Sequence, residues 1–206
     1  KYQMTTVISP TNITKNQHMQ SSTQKDILED EAILKMLNIS SSYDKGFRLL
    51  LQKYQERLYW HIRRMVVEHE DANDVLQNTC IKVYKGIKNF KGNARLYTWL
   101  YRIASNEAIT FLKKRKKNKS SSIHDEENNL ENQLQADVYF EGDEIQRKLQ
   151  LALDTLPEKQ KLVFNMRYYD AMSYQDISEV LGTSVGALKA SYHHAAKKIE
   201  AFLTQE

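Results

Sequence analysis

Apolar residues return at three- and four-residue steps through most of the chain from Asp26 onward. Phe47, Leu50, Leu51, Tyr54, Leu58, Ile62, Met65 and Val66 form one such stripe, the spacing of a helix that buries one face. Val75, Leu76, Cys80, Val83, Tyr84 and Ile87 form a second stripe, for which Asp71 or Asp74 offers an N-terminal cap. The pattern breaks at 89–93, around Gly92, and resumes with Leu96, Leu100, Ile103, Ala104, Ala108, Phe111 and Leu112. A later group opens with Leu149, Leu153 and Leu156, then Pro157 as a first helical residue, then Leu162, Val163 and Met166. Two more helices are predicted over Tyr174–Leu181 and Ser184–Leu203, separated by Gly182 and Thr183. No alternating run is long enough for a sheet, and no repeat of fixed period occurs. The fold class expected is all-α, in two small bundles.

Residues 1–24 are rich in Thr, Ser, Asn and Gln, lack periodicity, and are read as disordered. They have no signal-peptide anatomy. Because the first residue is Lys, the expected start is upstream or at Met4 or Met19. The domains expected are therefore an extension over 1–24, a module over 25–119, a linker over 120–146 and a second module over 147–206.

Composition sharpens this division. With 6 Gly and 2 Pro in 206 residues, a turn-rich sandwich or a glycine-loop enzyme has little punctuation to work with. One Cys excludes an internal disulfide and a CxxC metal site, and suits a reducing compartment. The net charge of +4 conceals an uneven distribution. Residues 43–119 carry +11, residues 120–146 carry −8 with no Lys or Arg, residues 147–206 carry +1, and residues 1–42 are neutral. A basic block tied by an acidic tether to a near-neutral block describes two modules and a linker.

The segment from Ser173 to Lys189 has helix-turn-helix spacing. Ile177 and Leu181 point inward from the first helix, small Ser178 allows a close crossing, and Gly182 supplies a left-handed turn. Val185 and Leu188 point inward from the second helix, which Ser184 caps, leaving Gly186, Ala187, Lys189, Ala190, Tyr192, His193 and Lys197 outward. Adjacent His193 and His194 diverge around a helix and do not suit one metal. In the basic block, cations mix with Tyr97, Trp99 and Tyr101 beside a glycine-bearing loop. Cation and aromatic together serve single-stranded nucleic acid, by neutralising phosphate and stacking on unpaired bases. Taken alone, Trp99 is read as core. Arg95, Thr98, Arg102, Asn106 and Lys113 are expected along one helix face.

These residues bear a family resemblance. Asp71-Ala-Asn-Asp-Val-Leu-Gln-Asn-Thr-Cys80 and Phe90-Lys-Gly-Asn-Ala-Arg-Leu-Tyr-Thr-Trp-Leu-Tyr-Arg-Ile-Ala-Ser-Asn106 resemble domain 2 of bacterial sigma factors. Leu156-Pro-Glu-Lys-Gln-Lys-Leu-Val-Phe164 and the helix-turn-helix at 173–199 resemble domain 4. Their order and short acidic linker are similar to the extracytoplasmic-function (ECF) group of the sigma-70 family. The resemblance covers roughly 43–119 and 147–203.

It implies roles that spacing does not. Asp71, Asp74, Val75, Leu76, Gln77, Asn78 and Thr79 would dock on the clamp helices of the largest subunit of core RNA polymerase. Phe90, Lys91, Asn93, Ala94 and Arg95 would capture a flipped base of the -10 element. Tyr97, Trp99, Arg102, Asn106 and Lys113 would read and melt that element. Ser184, Gly186, Ala187, Lys189, Ala190, His193, His194 and Lys197 would meet the -35 element as duplex, in the major groove. The acidic tether would thread the RNA-exit path. The resemblance further implies the flap of the second-largest subunit, promoter DNA and an anti-sigma factor as partners. It implies a cytoplasmic place, no membrane insertion, no cofactor, no metal and no catalysis.

Three departures from the family pattern stand out. Asn78 replaces a usual acidic residue, Ala190-Ser191 replaces a usual Ser-Arg pair, and the 42-residue extension is longer than the group's usual beginning. The competing reading is a helix-turn-helix activator that binds duplex DNA without replacing the polymerase sigma subunit. An activator needs no strand-melting surface. An enzyme acting on nucleic acid is a third class, and no HExxH, P-loop, clustered metal carboxylates or Ser/His/Asp constellation is evident in the sequence for it.

Overall fold

A computed structural model describes residues 15–119 and 144–204, which divide into two compact units, 1–53 and 54–206. The acidic tether, apart from its last three residues, lies outside the described residues, as do residues 1–14. All regular structure among the described residues is helical: α1 Lys15–Leu37, α2 Tyr43–Val66, α3 His69–Gly86, α4 Leu96–Lys119, α5 Glu144–Asp154, α6 Glu158–Tyr168, α7 Tyr174–Leu181 and α8 Val185–Leu203. Helix α1 begins at Lys15, inside the stretch whose polar composition suggests disorder, so the first helix is longer than periodicity indicates.

In the first unit α1 turns into the start of α2 through a 3-10 turn at Ser40–Ser42, where Ser42 Oγ donates to Met36 O at 2.8 Å. Gly46 permits the close crossing, since a Cβ there would lie 3.0 Å from Met36 Cβ and 3.1 Å from Leu37 N. Lys53 closes the turn by donating to Asp26 O and Asp30 Oδ1, both at 2.9 Å, with Glu29 at 3.3 Å. Burial works against the Lys53 ammonium, but Asp30, Glu29 and Asp26 outweigh it and raise its pKa.

The second unit holds the remainder of α2 with α3 to α8. Leu58, Ile62, Met65 and Val66 on α2 are buried, as are Ala72, Val75, Leu76 and Val83 on α3 and Leu96, Leu100, Ala104 and Ala108 on α4. A separate cluster joins Ala152, Leu153, Leu156, Phe164, Ala195 and Ile199, rimmed by Leu149, Tyr169, Tyr192 and Leu203. Helix α8 packs against α5, α6 and α7, while α4 packs against both α3 and α7.

Local signals mostly act as the sequence suggests, with four corrections. Helix α3 starts before both candidate caps: Glu68 occupies the cap position without a side-chain bond, and Asp71 lies inside the first turn. Pro157 is the cap residue and not the first helical one. Tyr84 is exposed despite its place in the apolar stripe. Thr98 is buried, its hydroxyl donating back to Arg95 O at 2.8 Å, so it leaves the expected polar face of α4.

Candidate nucleic-acid interface

The loop between α3 and α4 is short and irregular because Gly92 takes φ +72°, in the left-handed region where a Cβ is disfavoured. Phe90 and Trp99 meet across it with ring centroids 5.3 Å apart. Trp99 also lies against Gly86, where an added Cβ would approach its ring to 3.3 Å. Both rings are half-buried, so Trp99 is partly core and partly accessible. Lys91, Asn93 and Arg95 project into solvent around them, Ala94 is half-buried, and Arg102, Asn106 and Lys113 continue the exposed face along α4. Aromatic surface and cations are thus juxtaposed as single-stranded DNA requires.

On α3 the expected docking residues separate by burial. Val75, Leu76 and Thr79 are core residues, and Thr79 Oγ1 donates to Val75 O at 2.8 Å. That corrects their expected role as contact residues: they shape the helix from beneath. Asp71 is half-buried and accepts from Arg115 at 2.9 Å, while Asp74, Gln77 and Asn78 are exposed. Sequence reasoning missed Ile81 and Tyr84, each 46% exposed, about one and two turns beyond Gln77 on the surface of α3. An apolar residue three or four positions beyond an exposed polar one was the available signal.

The helix-turn-helix is built from short-range chemistry. Ser173 Oγ accepts from Asp176 N at 3.1 Å and donates to Asp176 Oδ2 at 2.5 Å, a reciprocal cap that fixes the start of α7. Gly182 ends α7 at φ +63°, and Ser184 caps α8 by accepting from Ala187 N at 3.4 Å. Ile177, Val180 and Leu188 are buried between the helices. Ser184, Gly186, Ala187, Lys189, Ala190, His193, His194 and Lys197 all lie exposed, and nothing stands within 4 Å of a Cβ placed on Gly186. Tyr192 is corrected from outward to half-buried: its ring stacks on Phe164 at 5.5 Å. Burial raises its phenol pKa.

The second unit also brings together side chains far apart in sequence. The His61 ring meets Asp170 Oδ2 through Nδ1 at 2.7 Å and Ser105 Oγ through Nε2 at 3.0 Å. This Ser-His-Asp chain was invisible to spacing, and it corrects the expectation that none exists. It is no nucleophile: Ser105 is 1% exposed and donates its proton to Tyr101 O at 2.6 Å. Arg64 Nη1 reaches Asp170 Oδ1 at 3.4 Å, and Arg95 faces Asp176 at 3.6 Å. Arg102 donates to Glu179 O, and Lys161 Nζ, which also pairs with Asp154, donates to Met65 O at 3.2 Å. Burial and hydrogen bonding to Asp176 raise the Tyr97 phenol pKa, and burial with Asp170 nearby raises that of Tyr101. Among the described residues no group of three His, Cys, Asp or Glu could hold a metal, and no helix is long and apolar enough to cross a membrane.

An all-helical chain with a helix-turn-helix and a cationic, aromatic helix face defines a DNA-binding transcription protein. Residues 50–118 match sigma-70 region 2 and residues 146–199 match sigma-70 region 4. The chain is 30% identical over 181 residues to the ECF RNA polymerase sigma-E factor of Haemophilus influenzae, covering 84% of this chain and 94% of that one. It is 30% identical to the RNA polymerase sigma-H factor of Pseudomonas aeruginosa, covering 76% and 85%. In fold it is similar to the sigma factor RpoE in complex with the anti-sigma factor NepR from Bartonella quintana, at TM-score 0.62, 20% identity and coverage of 79% and 99%. It is likewise similar to CnrH in complex with the cytosolic domain of CnrY, at TM-score 0.64, 18% identity and coverage of 85% and 97%. The chain belongs to the ECF group of the sigma-70 family, and is a promoter-directing subunit of RNA polymerase.

Proposed function

We propose that this sigma factor divides promoter recognition between two helices, α4 for the melted -10 element and α8 for the -35 duplex. The observation that carries this is the pairing of Phe90 and Trp99 at a left-handed glycine loop with exposed Lys91, Arg95, Arg102 and Asn106 beyond it. Extruding a base costs a few kcal/mol, which stacking and phosphate contacts from such a face offset. Helix α8 presents small Gly186, Ala187 and Ala190 at its start, which let the backbone enter a groove closely, and Lys189 and Lys197 for phosphates. The exposed face of α3, with Asp74, Gln77, Asn78, Ile81 and Tyr84, docks on core polymerase. Of the expected α3 contacts, Asp71 sits at its edge.

The protein acts without catalysis of its own and works in the cytoplasm, where its polymerase is. Because the similarly folded sigma factor RpoE is held by the anti-sigma factor NepR, an anti-sigma factor is the proposed regulatory partner. The activator reading leaves the α4 face without a task and is not favoured. Run-off transcription with core polymerase tests the assignment: the purified chain should confer initiation at a defined start. Duplex binding without any dependence of transcripts on the chain would restore the activator.

A further inference from the structure

The exposed face of α3, assigned above to core polymerase, continues onto α2. His69, Asn73 and Gln77 stand on it at four-residue steps, and Ile81 and Tyr84 prolong the row, about 22 Å in all at 1.5 Å per residue. At the upstream end Tyr59 of α2 joins the same row. Its hydroxyl lies 2.7 Å from His69 Nδ1, and Asn73 Nδ2 lies 3.0 Å from His69 Nε2. We propose that Tyr59, His69 and Asn73 form a preset hydrogen-bonding station that extends the docking surface from α3 to α2, with core RNA polymerase as its occupant and Tyr59 as a direct contact. The proposal rests on the assignment of α3 to core polymerase and adds a second helix to that surface.

The proton positions follow from the partners. An amide nitrogen only donates, so Asn73 Nδ2 makes Nε2 of His69 the accepting nitrogen. In a neutral imidazole the other nitrogen then carries the proton, and Nδ1 donates to the Tyr59 oxygen. No side chain or backbone group among the described residues takes the phenol proton, and none donates to Asn73 Oδ1. One donor and one acceptor are thus left for a partner, at fixed positions. The ring that carries the donor is braced edge-on from two sides, by Trp60 with centroids 5.1 Å apart and by His69 at 5.9 Å. A group held in this way loses little further freedom when a partner binds. The relay adds little to folding stability, because its bonds are solvent-exposed and water can replace them. Its value lies in recognition, and continuity with the α3 row names the partner. Ile81 and Tyr84, each 46% exposed, supply apolar contact at one end of the row, while Tyr59 and Asn73 supply uncharged hydrogen bonds at the other. The polymerase segment that fits offers a carbonyl or carboxylate oxygen to the Tyr59 hydroxyl and an amide or guanidinium to Asn73 Oδ1.

The test measures binding of core polymerase from the same source to the full chain, labelled at its N-terminus and read by fluorescence anisotropy. Tyr59→Phe keeps the ring against Trp60 and removes only the donor. Core binding should weaken about fivefold, within the range of one hydrogen bond, with the melting temperature unchanged. His69→Ala should weaken binding about threefold, and most of that loss should vanish in the Tyr59→Phe background, because the imidazole acts through the phenol. The loss from Tyr59→Phe should be alike at about 0.05 M and about 0.5 M salt, whereas the loss from Asp74→Arg should shrink as salt screens it. Binding as tight as wild type from Tyr59→Phe overturns the station, and so do fully additive losses from Tyr59→Phe and His69→Ala. If Asp74→Arg alone weakens binding, the assignment of α3 stands without α2. If neither Asp74→Arg nor Tyr59→Phe weakens it, the assignment of α3 falls as well.

Discussion

Helices α4 and α8 are both proposed to hold promoter DNA, and they are opposite in equipment. Helix α4 has Arg95 just before its start, Arg102 on its face and a tilted aromatic pair at its mouth, and α7 packs against it. Helix α8 is open along its whole outer face but offers Gly186, Ala187, Ala190, two lysines and two histidines, with Ser191 where the family favours Arg. The strongly cationic surface lies beside α7, and the open surface of α8 is the weaker one. Two faces so equipped would gain affinity when both engage one duplex, through effective concentration.

The largest effects test whether the two faces rest on separate cores. Leu100 under α4 is 0% exposed and Leu188 under α8 is 1% exposed. Truncating either to Ala should cost about 2–5 kcal/mol by denaturation. Hydrogen exchange should place the Leu188→Ala loss in α5–α8 and spare α3 and α4. A uniform loss of protection would mean one cooperative block, and the contrast between halves would dissolve. Next in size, Arg95→Ala/Arg102→Ala should lower run-off transcription about 100-fold, from two charge-assisted contacts near 1.5 kcal/mol each. Binding of -35 duplex by the same variant should not change. A matching fall in duplex binding would show that α4 and α8 do not divide the promoter.

The parts of this arrangement differ in how plainly the sequence announces them. The helix-turn-helix is local: Gly182 at φ +63° and the Ser184 cap involve partners within four residues, and their residue types point to them directly. The burial of Val75, Leu76 and Thr79 is a matter of helix phase, which a conserved-looking motif string hides and a helical stripe shows. The seam of polar contacts that joins α2 and α4 to the segment 170–179 was not legible, because His61 and Asp170 lie 109 positions apart and no periodicity links them. The burial of Lys161 and Asn165 carries no sequence signal either, since both meet Met65 on α2, about 100 positions away. Long-range polar contacts leave no composition signal.

Smaller effects sharpen the contrast. Ser191→Arg should strengthen duplex binding several-fold and steepen its salt dependence by about 0.9, the value for one added phosphate contact on B-DNA. Ser191 is half-buried, so the longer side chain must run outward along α8 to reach a phosphate. An unchanged slope would mean that position does not face the backbone. Ala171→Gly should stabilise the chain by about 1 kcal/mol, because it removes the left-handed penalty at φ +52°, partly offset by glycine's added freedom when unfolded. An unchanged midpoint of denaturation in that variant would mean that the loop carries no such penalty.

The smallest effect follows from the tyrosines at the seam. Burial raises the pKa of both Tyr97 and Tyr101, with Asp176 and Asp170 respectively adding to it, against partial opposition from Arg95 for one and Arg57 and Arg64 for the other. A phenol whose pKa is higher in the packed state stabilises that state fully below the ordinary value of about 10 and loses its contribution as pH rises through the folded value. The seam should therefore loosen on the alkaline side of about pH 10, before α-helical structure is lost, and near-ultraviolet circular dichroism should fall ahead of the far-ultraviolet signal. Tyr97→Phe removes the ionisable oxygen and its bond to Asp176 together. It should blunt the alkaline fall, while Tyr192→Phe, whose phenol pKa burial also raises but whose ring stacks on Phe164, should leave that early fall in place. If the near- and far-ultraviolet signals fall together in every variant, the seam has no stability separate from the helices it joins, and the two halves unfold as one block.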